Sequence, residues 1–175
     1  MRLQGKHVVM LVEEGFEDLE LWYPVIRLRE EGAKVSLLGT GSSQVYNGKY
    51  GLKAEADVTV GELKPEDIDG LIVPGGWAPD KLRRFSEILE FVKKIHEQNK
   101  LIATICHAGW VLVSAKILPG YKITCVNAIK DDMENAGASY IDQDVVVDRN
   151  MVSSRTPKDL PAYMRAIIEL LEKQK

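Results

Sequence analysis

Four short, uncharged and largely apolar runs constrain this chain most: Val8 to Val12, Val35 to Leu38, Leu71 to Val73 and Leu101 to Ile105. A strand with one wet face alternates apolar and polar residues, so runs like these read as strands covered on both faces. Helical spacing lies between them. Asp18 to Glu31 places Leu19, Leu21, Trp22, Val25, Ile26 and Leu28 on an apolar face, with Gly32 as its C′ residue. Lys81 to Gln98 predicts a second helix. Ser42 to Val60 differs: Leu52, Ala54, Ala56 and Val58 alternate, with turn signals at Asn47-Gly48 and Gly51, and predict a hairpin-like excursion. Ile123 to Val126 reads as a short strand and Asn127 to Ala136 as a short helix closed by Gly137. Asp148-Arg149-Asn150 turns a hairpin between Val145–147 and Met151–Ser153, and Thr156-Pro157 opens the last helix. The alternation predicts an α/β fold in which a mainly parallel sheet is sandwiched between helices. At 175 residues it is expected to be a single domain, residues 1–175.

Ligands on such sheets sit at the carboxyl ends of the strands. Three loops end there: Glu13 to Asp18, Gly75 to Asp80 and Cys106 to Trp110. The third has the pattern of a nucleophile elbow, with small Thr104 and Ala108 two residues either side of Cys106. A following helix turns its positive end toward the sulfur and favours thiolate, which is the reactive form. Of the three histidines, His7 precedes the first strand and His96 sits late in a charged helix, both read as solvated; His107 remains as the base. Glu17 is either a pocket acid or a solvent-facing loop acid, while Asp18 suits a helix cap and Asp80 caps the next helix. Gly75-Gly76 lets bare N–H groups approach a ligand.

The net charge is −3 and no run of Lys or Arg stands out, which argues against a nucleic-acid partner. No stretch has the length of a membrane span, and the short run Val8–Val12 ahead of Glu13-Glu14 is not a signal peptide. Cysteine and histidine lack zinc spacing, and Asp131-Asp132-Met133-Glu134 reads as first-turn helix acids, so no metal or cofactor is expected. Two cysteines, Cys106 and Cys125, make no disulfide framework and suit a reducing, cytoplasmic setting.

Phe16-Glu17-Asp18 with Glu20 and Pro24, Pro74-Gly75-Gly76 with Pro79, Ile105-Cys106-His107, Lys130-Asp131-Asp132, Asn135-Ala136-Gly137 and Val152-Ser153-Ser154-Arg155 recur in a familiar order. Across nearly its whole length the chain resembles the PfpI-type intracellular peptidases of the ThiJ/PfpI superfamily. The resemblance implies a flavodoxin-like sandwich that assembles as homodimers or homohexamers. It implies Cys106 as nucleophile beside His107, Glu17 hydrogen-bonded to the sulfur, and an oxyanion hole of the Gly76 and His107 N–H groups. It also implies a third acid at Asp80, supplied by a neighbouring subunit. Asp80 stands where the family's proteases carry Glu, Val126 where some members carry Tyr, and Ala108-Gly109-Trp110 replaces a Gly-Pro pair, so that Trp110 would narrow a pocket floored by Gly75.

The resulting expectation is a cytoplasmic thiol hydrolase of the PfpI type using Cys106, intracellular-peptidase-like, with a peptide or a small carbonyl compound as substrate. The alternatives are a glyoxalase or protein deglycase, and a redox-sensing or chaperone-like stress protein using the same cysteine. An amidotransferase-type glutaminase fits poorly, because no histidine follows His107.

Overall fold

The computed structural model describes residues 1–174. In chain order the first half comprises β1 (His7–Val12), α1 (Asp18–Glu30), β2 (Lys34–Gly39), β3 (Val45–Asn47), β4 (Lys53–Glu55), β5 (Val58–Thr59) and β6 (Gly70–Val73). The second half comprises α2 (Ala78–Leu82), α3 (Ser86–Glu97), β7 (Leu101–Ile105), α4 (Gly109–Ala115), β8 (Lys122–Ile123), α5 (Lys130–Asn135), β9 (Ser139–Tyr140), β10 (Val145–Asp148), β11 (Met151–Ser154) and α6 (Leu160–Lys173).

The four apolar runs lie side by side in a seven-stranded sheet of order β10-β11-β7-β6-β1-β2-β5. Every neighbouring pair is parallel except the edge hairpin β10–β11. Helices α1 and α6 pack together on one face and α3 and α4 on the other. Burial on both faces explains the unbroken apolar runs: Val8 to Val12, Leu71 to Val73 and Leu101 to Ala103 are all fully buried. The expected flavodoxin-like sandwich is therefore the observed one.

Local details differ from expectation. The predicted helix over 81–98 is two helices, broken at Phe85, which is extended. Of Ile123 to Val126 only Ile123 is strand; β8 pairs with β9 outside the main sheet. The last helix begins at Leu160, after a single 3₁₀ turn over Pro157–Asp159. The excursion is the ribbon β3–β4, after which β5 returns to the sheet edge beside β2.

The chain leaves β1 toward β2 and later returns to place β6 on the other side of β1. That reversal opens a crevice at the carboxyl ends of β1, β6 and β7.

Candidate active site

Backbone hydrogen bonds lash the loops after β1 and β6 together. Glu17 N–H donates to Gly75 O at 3.1 Å and Trp77 N–H to Gly15 O at 2.8 Å. Gly76 lies at φ +74°, and a Cβ there would sit 2.5 Å from both Glu17 N and Gly15 O, so no side chain fits. A Cβ on Gly75 would collide with the Glu20 carboxylate and the Cys106 Cβ. These glycines let two loops close on one sulfur atom.

Cys106 has φ +60°, a left-handed conformation a side chain adopts only under constraint. It follows the last residue of β7 and starts a 3₁₀ turn leading into α4. Thr104 and Ala108 are buried on either side, which is why small residues flank the apex. The neighbouring N–H groups of His107 and Gly76 favour the Cys106 anion. Burial acts the other way and, with the Glu20 charge second, pushes the thiol up to about 12.

The acid beside the sulfur is Glu20, not Glu17. Glu17 is the N-cap of α1: its Oε2 accepts from Glu20 N–H at 2.8 Å, which engages its carboxylate at the helix end. Asp18, the expected cap, instead accepts from Tyr50 N–H and Leu52 N–H, both at 2.8 Å. Glu20 is fully buried. Its Oε2 accepts from Gly75 N–H at 2.7 Å. Its Oε1 makes no hydrogen bond, and the Cys106 thiol is a neighbour of the carboxyl group. Burial first, and the Glu17 charge second, push the Glu20 carboxyl up to about 8. The acid is therefore mainly protonated at neutral pH, and the part of the Cys106 shift that needs a charged Glu20 is absent there.

The pair shares its first ionisation. With the remaining proton on Glu20, the thiolate has the Gly76 and His107 N–H groups and a Glu20 O–H as donors. With the proton on sulfur, a buried carboxylate has Gly75 N–H alone. The first arrangement leaves less buried charge unsolvated.

His107 Nδ1 lies 3.2 Å from Cys106 Sγ. Burial, then Lys49, lowers the imidazole pKa, so the ring is neutral near pH 7 and able to accept a proton. Asp80 does not orient it within one chain: its half-exposed carboxylate is paired with Arg84 one helical turn on. Trp110 does contact the ring, with centroids 5.2 Å apart, while its Nε1–H donates to Asp132 at 2.8 Å. Its far side lines a groove of about 360 Å³ with Arg83 and Asn135. Val126 N–H donates to Cys106 O at 3.3 Å, bracing the elbow through the backbone. His7 and His96 are away from the site, though neither is simply solvated: His7 bonds Ser36 and Asp67 O, and His96 packs edge-on against Tyr121. Among the described residues no cluster of three or more His, Cys, Asp or Glu could hold a metal.

A sequence model described as the DJ-1/PfpI family matches residues 6–170. The chain belongs to the DJ-1/PfpI family. It is 43% identical over 165 residues to Deglycase PfpI of Pyrococcus furiosus, covering 94% of this chain and 99% of that one. A Bacillus subtilis relative, YraA, whose name assigns it provisionally to the cysteine proteases, is 38% identical over 168 residues, 96% of this chain and 99% of that one. Among solved structures, a two-domain Anabaena variabilis protein with DJ-1/ThiJ/PfpI-like and ferritin-like domains superimposes with a TM-score of 0.93 at 39% identity. The match takes in 97% of this chain and 51% of that one, so this chain spans about half of it. Drosophila melanogaster DJ-1beta shares the fold at a TM-score of 0.89 and 24% identity, over 97% of this chain and 91% of that one.

Within this DJ-1/PfpI chain, the residue that sequence reasoning passes over is Glu20. An acid in the first turn of a helix reads as dipole compensation. The available signal is spacing: once Glu17 is the cap, position N3 turns one face of α1 toward the sheet, and the acid there goes inward.

Proposed function

We propose that this chain is a cysteine-dependent hydrolase of deglycase type, in which Cys106 attacks the carbonyl carbon of small dicarbonyl compounds or their adducts with amines. The observation that carries this reading is the surroundings of the sulfur: two backbone N–H groups and a buried, neutral Glu20 converge on it. The thiolate adds to the carbonyl carbon, and Gly76 and His107 N–H are the donors for the oxygen that takes the charge. His107 takes the thiol proton and passes it to the leaving amine, while Glu20 keeps its own proton as a donor to the sulfur. The hemithioacetal left on Cys106 rearranges through an enediol, moving a hydrogen from the sulfur-bearing carbon to the neighbouring carbonyl carbon, and water hydrolyses the resulting 2-hydroxy thioester. Four archaeal relatives named deglycases, at 42–43% identity, support the substrate class.

The 3.2 Å contact between Cys106 and His107 favours a second reading, peptide hydrolysis. That reading needs an acid to orient His107, and Asp80 would have to come from a second copy. Self-assembly is part of the proposal, since α1 exposes Leu19, Tyr23 and Ile26 along one stripe and Tyr50 and Leu52 of the hairpin turn are exposed as well. We read the setting as cytoplasmic on the two free thiols. The test is release of free amine from methylglyoxal-treated N-acetyl-lysine, beside cleavage of an unmodified fluorogenic peptide. Deglycation lost in Cys106→Ser is the expected result. Peptide cleavage abolished by Asp80→Ala, without deglycation in the wild type, would replace this reading with the peptidase one.

A further inference from the structure

The groove beside Trp110 holds a cation that the chemistry at the sulfur does not use. Arg83 is the C-cap of α2, where its N–H donates to Pro79 O at 3.1 Å and buried Ala78, Pro79 and Leu82 anchor the helix. Its Nε donates to Ser114 Oγ of α4 at 2.9 Å. Its guanidinium lies over the Trp110 ring, 5.6 Å from the centroid. The backbone and one nitrogen of the fork are thus fixed. Among the described residues the two terminal nitrogens donate to nothing, and Arg83 forms no ion pair. Asp132 lines the same groove without pairing with Arg83. It is engaged at the edge of the indole, whose N–H it accepts at 2.8 Å, whereas Arg83 sits over the ring face.

Packing joins this groove to the nucleophile. The Trp110 ring contacts the His107 ring, with centroids 5.2 Å apart, and His107 Nδ1 is 3.2 Å from Cys106 Sγ. All three residues belong to one stretch of chain, the 3₁₀ turn after β7 and the first turn of α4. A guanidinium whose terminal nitrogens are both free matches a carboxylate as a two-pronged fork, and a ring beneath it keeps the fork in place without cancelling its charge. The dicarbonyl part of a substrate has to lie at the sulfur, so the part that reaches Arg83 is the amine part. We propose that Arg83 is a specificity-determining residue that binds a carboxylate on the amine part of the substrate, favouring adducts of free amino acids and of C-terminal lysines over adducts of lysines inside a chain. This rests on the deglycase reading for the identity of the amine, and one arm of its test is independent of turnover.

The probes are the methylglyoxal adducts of N-acetyl-lysine and of N-acetyl-lysine methylamide. Each has one amine to release, and they differ only at the carboxylate. In low salt the wild type is expected to favour the acid in kcat/KM by about threefold to tenfold, the range of a partly exposed charge-assisted fork. The preference should lie in KM, because a contact remote from the reacting carbon is made equally before and during the reaction. Arg83→Met should bring the ratio of acid to methylamide close to one. Arg83→Lys, which keeps the charge but neither the fork nor the stacking, should keep only part of it. In the second arm, unmodified N-acetyl-lysine should change the tryptophan fluorescence at lower concentration than its methylamide does. That signal should be lost in Trp110→Phe, and the preference lost in Arg83→Met. Equal kcat/KM for the two adducts in the wild type, or a ratio that Arg83→Met leaves in place, overturns the proposal and leaves the deglycase reading intact. Turnover of neither adduct overturns the deglycase reading, and the fluorescence arm then decides alone. A preference for the acid that disappears in Arg83→Met keeps the carboxylate site, and equal or absent responses remove it.

Discussion

The two cysteines are alike in burial energetics and opposite in surroundings. Both thiols are pushed up to about 12, with burial the largest cause in each. They lie on segments joined by the Val126 N–H to Cys106 O bond. Cys125 faces the carboxylates of Asp132 and Glu134, which oppose a thiolate further. Cys106 instead lies among two N–H donors, a neutral imidazole that can take the displaced proton and a protonated acid that can donate to the thiolate. Burial alone makes a thiol inert, and reactivity comes from what is buried with it.

The largest expected effect breaks the comparison at the sulfur. Cys106→Ser should lower kcat/KM by about 10³-fold or more, because an alcohol at this site has no comparable anion to offer. In the wild type, iodoacetamide should modify Cys106 roughly a hundred times faster than Cys125, read by peptide mass spectrometry. Equal labelling of the folded protein would remove the distinction.

The next effect tests the acid. Alkylation of Cys106 should rise with pH along one limb centred near the pair's first ionisation, about 8. Glu20→Gln keeps an acceptor for Gly75 N–H and a donor for the sulfur, so the limb should move little. Glu20→Leu removes both and should lower the alkylation rate at pH 7 by about tenfold to a hundredfold, as loss of a charge-assisted hydrogen bond predicts. Stability carries the same signature. Between the ordinary carboxyl value of 4.5 and about 8, the folded chain keeps a proton on Glu20 that the unfolded chain has released. Stability from this group is complete below that window and declines as pH rises through it. Glu20→Gln should flatten that decline in a series of thermal melts.

The fold was legible because its signals are redundant. Four apolar runs, the helix-ending Gly32 and the small residues around Cys106 each point to a sheet with an elbow at the end of β7. The site was legible only as far as the backbone dictates it, at Cys106, Gly76 and His107. The exchange of roles between Glu17 and Asp18 was not legible, since both are competent helix caps and the choice depends on a distant partner. Asp18 is claimed by the β3–β4 turn, more than thirty residues on, which leaves the cap to Glu17 and the inward position to Glu20. Trp110 could be placed near the pocket but not against His107, because that contact depends on the 3₁₀ turn preceding α4.

That exchange gives the next smaller effect. Glu17→Ala should destabilise the chain by about 1 kcal/mol, the usual cost of losing an N-cap, with little change in the midpoint of Cys106 titration. A large change in that midpoint would mean that Glu17, not Glu20, governs the thiol.

The smallest effect is reserved for the other cysteine. Cys125 is buried, the charges that act on its thiol are the carboxylates of Asp132 and Glu134, and among the described residues no hydrogen bond joins its sulfur to the site. Cys125→Ala should leave kcat/KM within about twofold and cost roughly 1 kcal/mol of stability for the small void it creates. Cys125→Ser should cost more than Cys125→Ala, because a buried hydroxyl that finds no partner carries a desolvation penalty a methyl group lacks. Denaturant titrations of the two variants would rank them. If Cys125→Ala instead lowered turnover as Cys106→Ser does, the two thiols would be acting as one unit. The contrast in their surroundings would then be irrelevant to the chemistry, and a dithiol reaction would have to replace the single-nucleophile one.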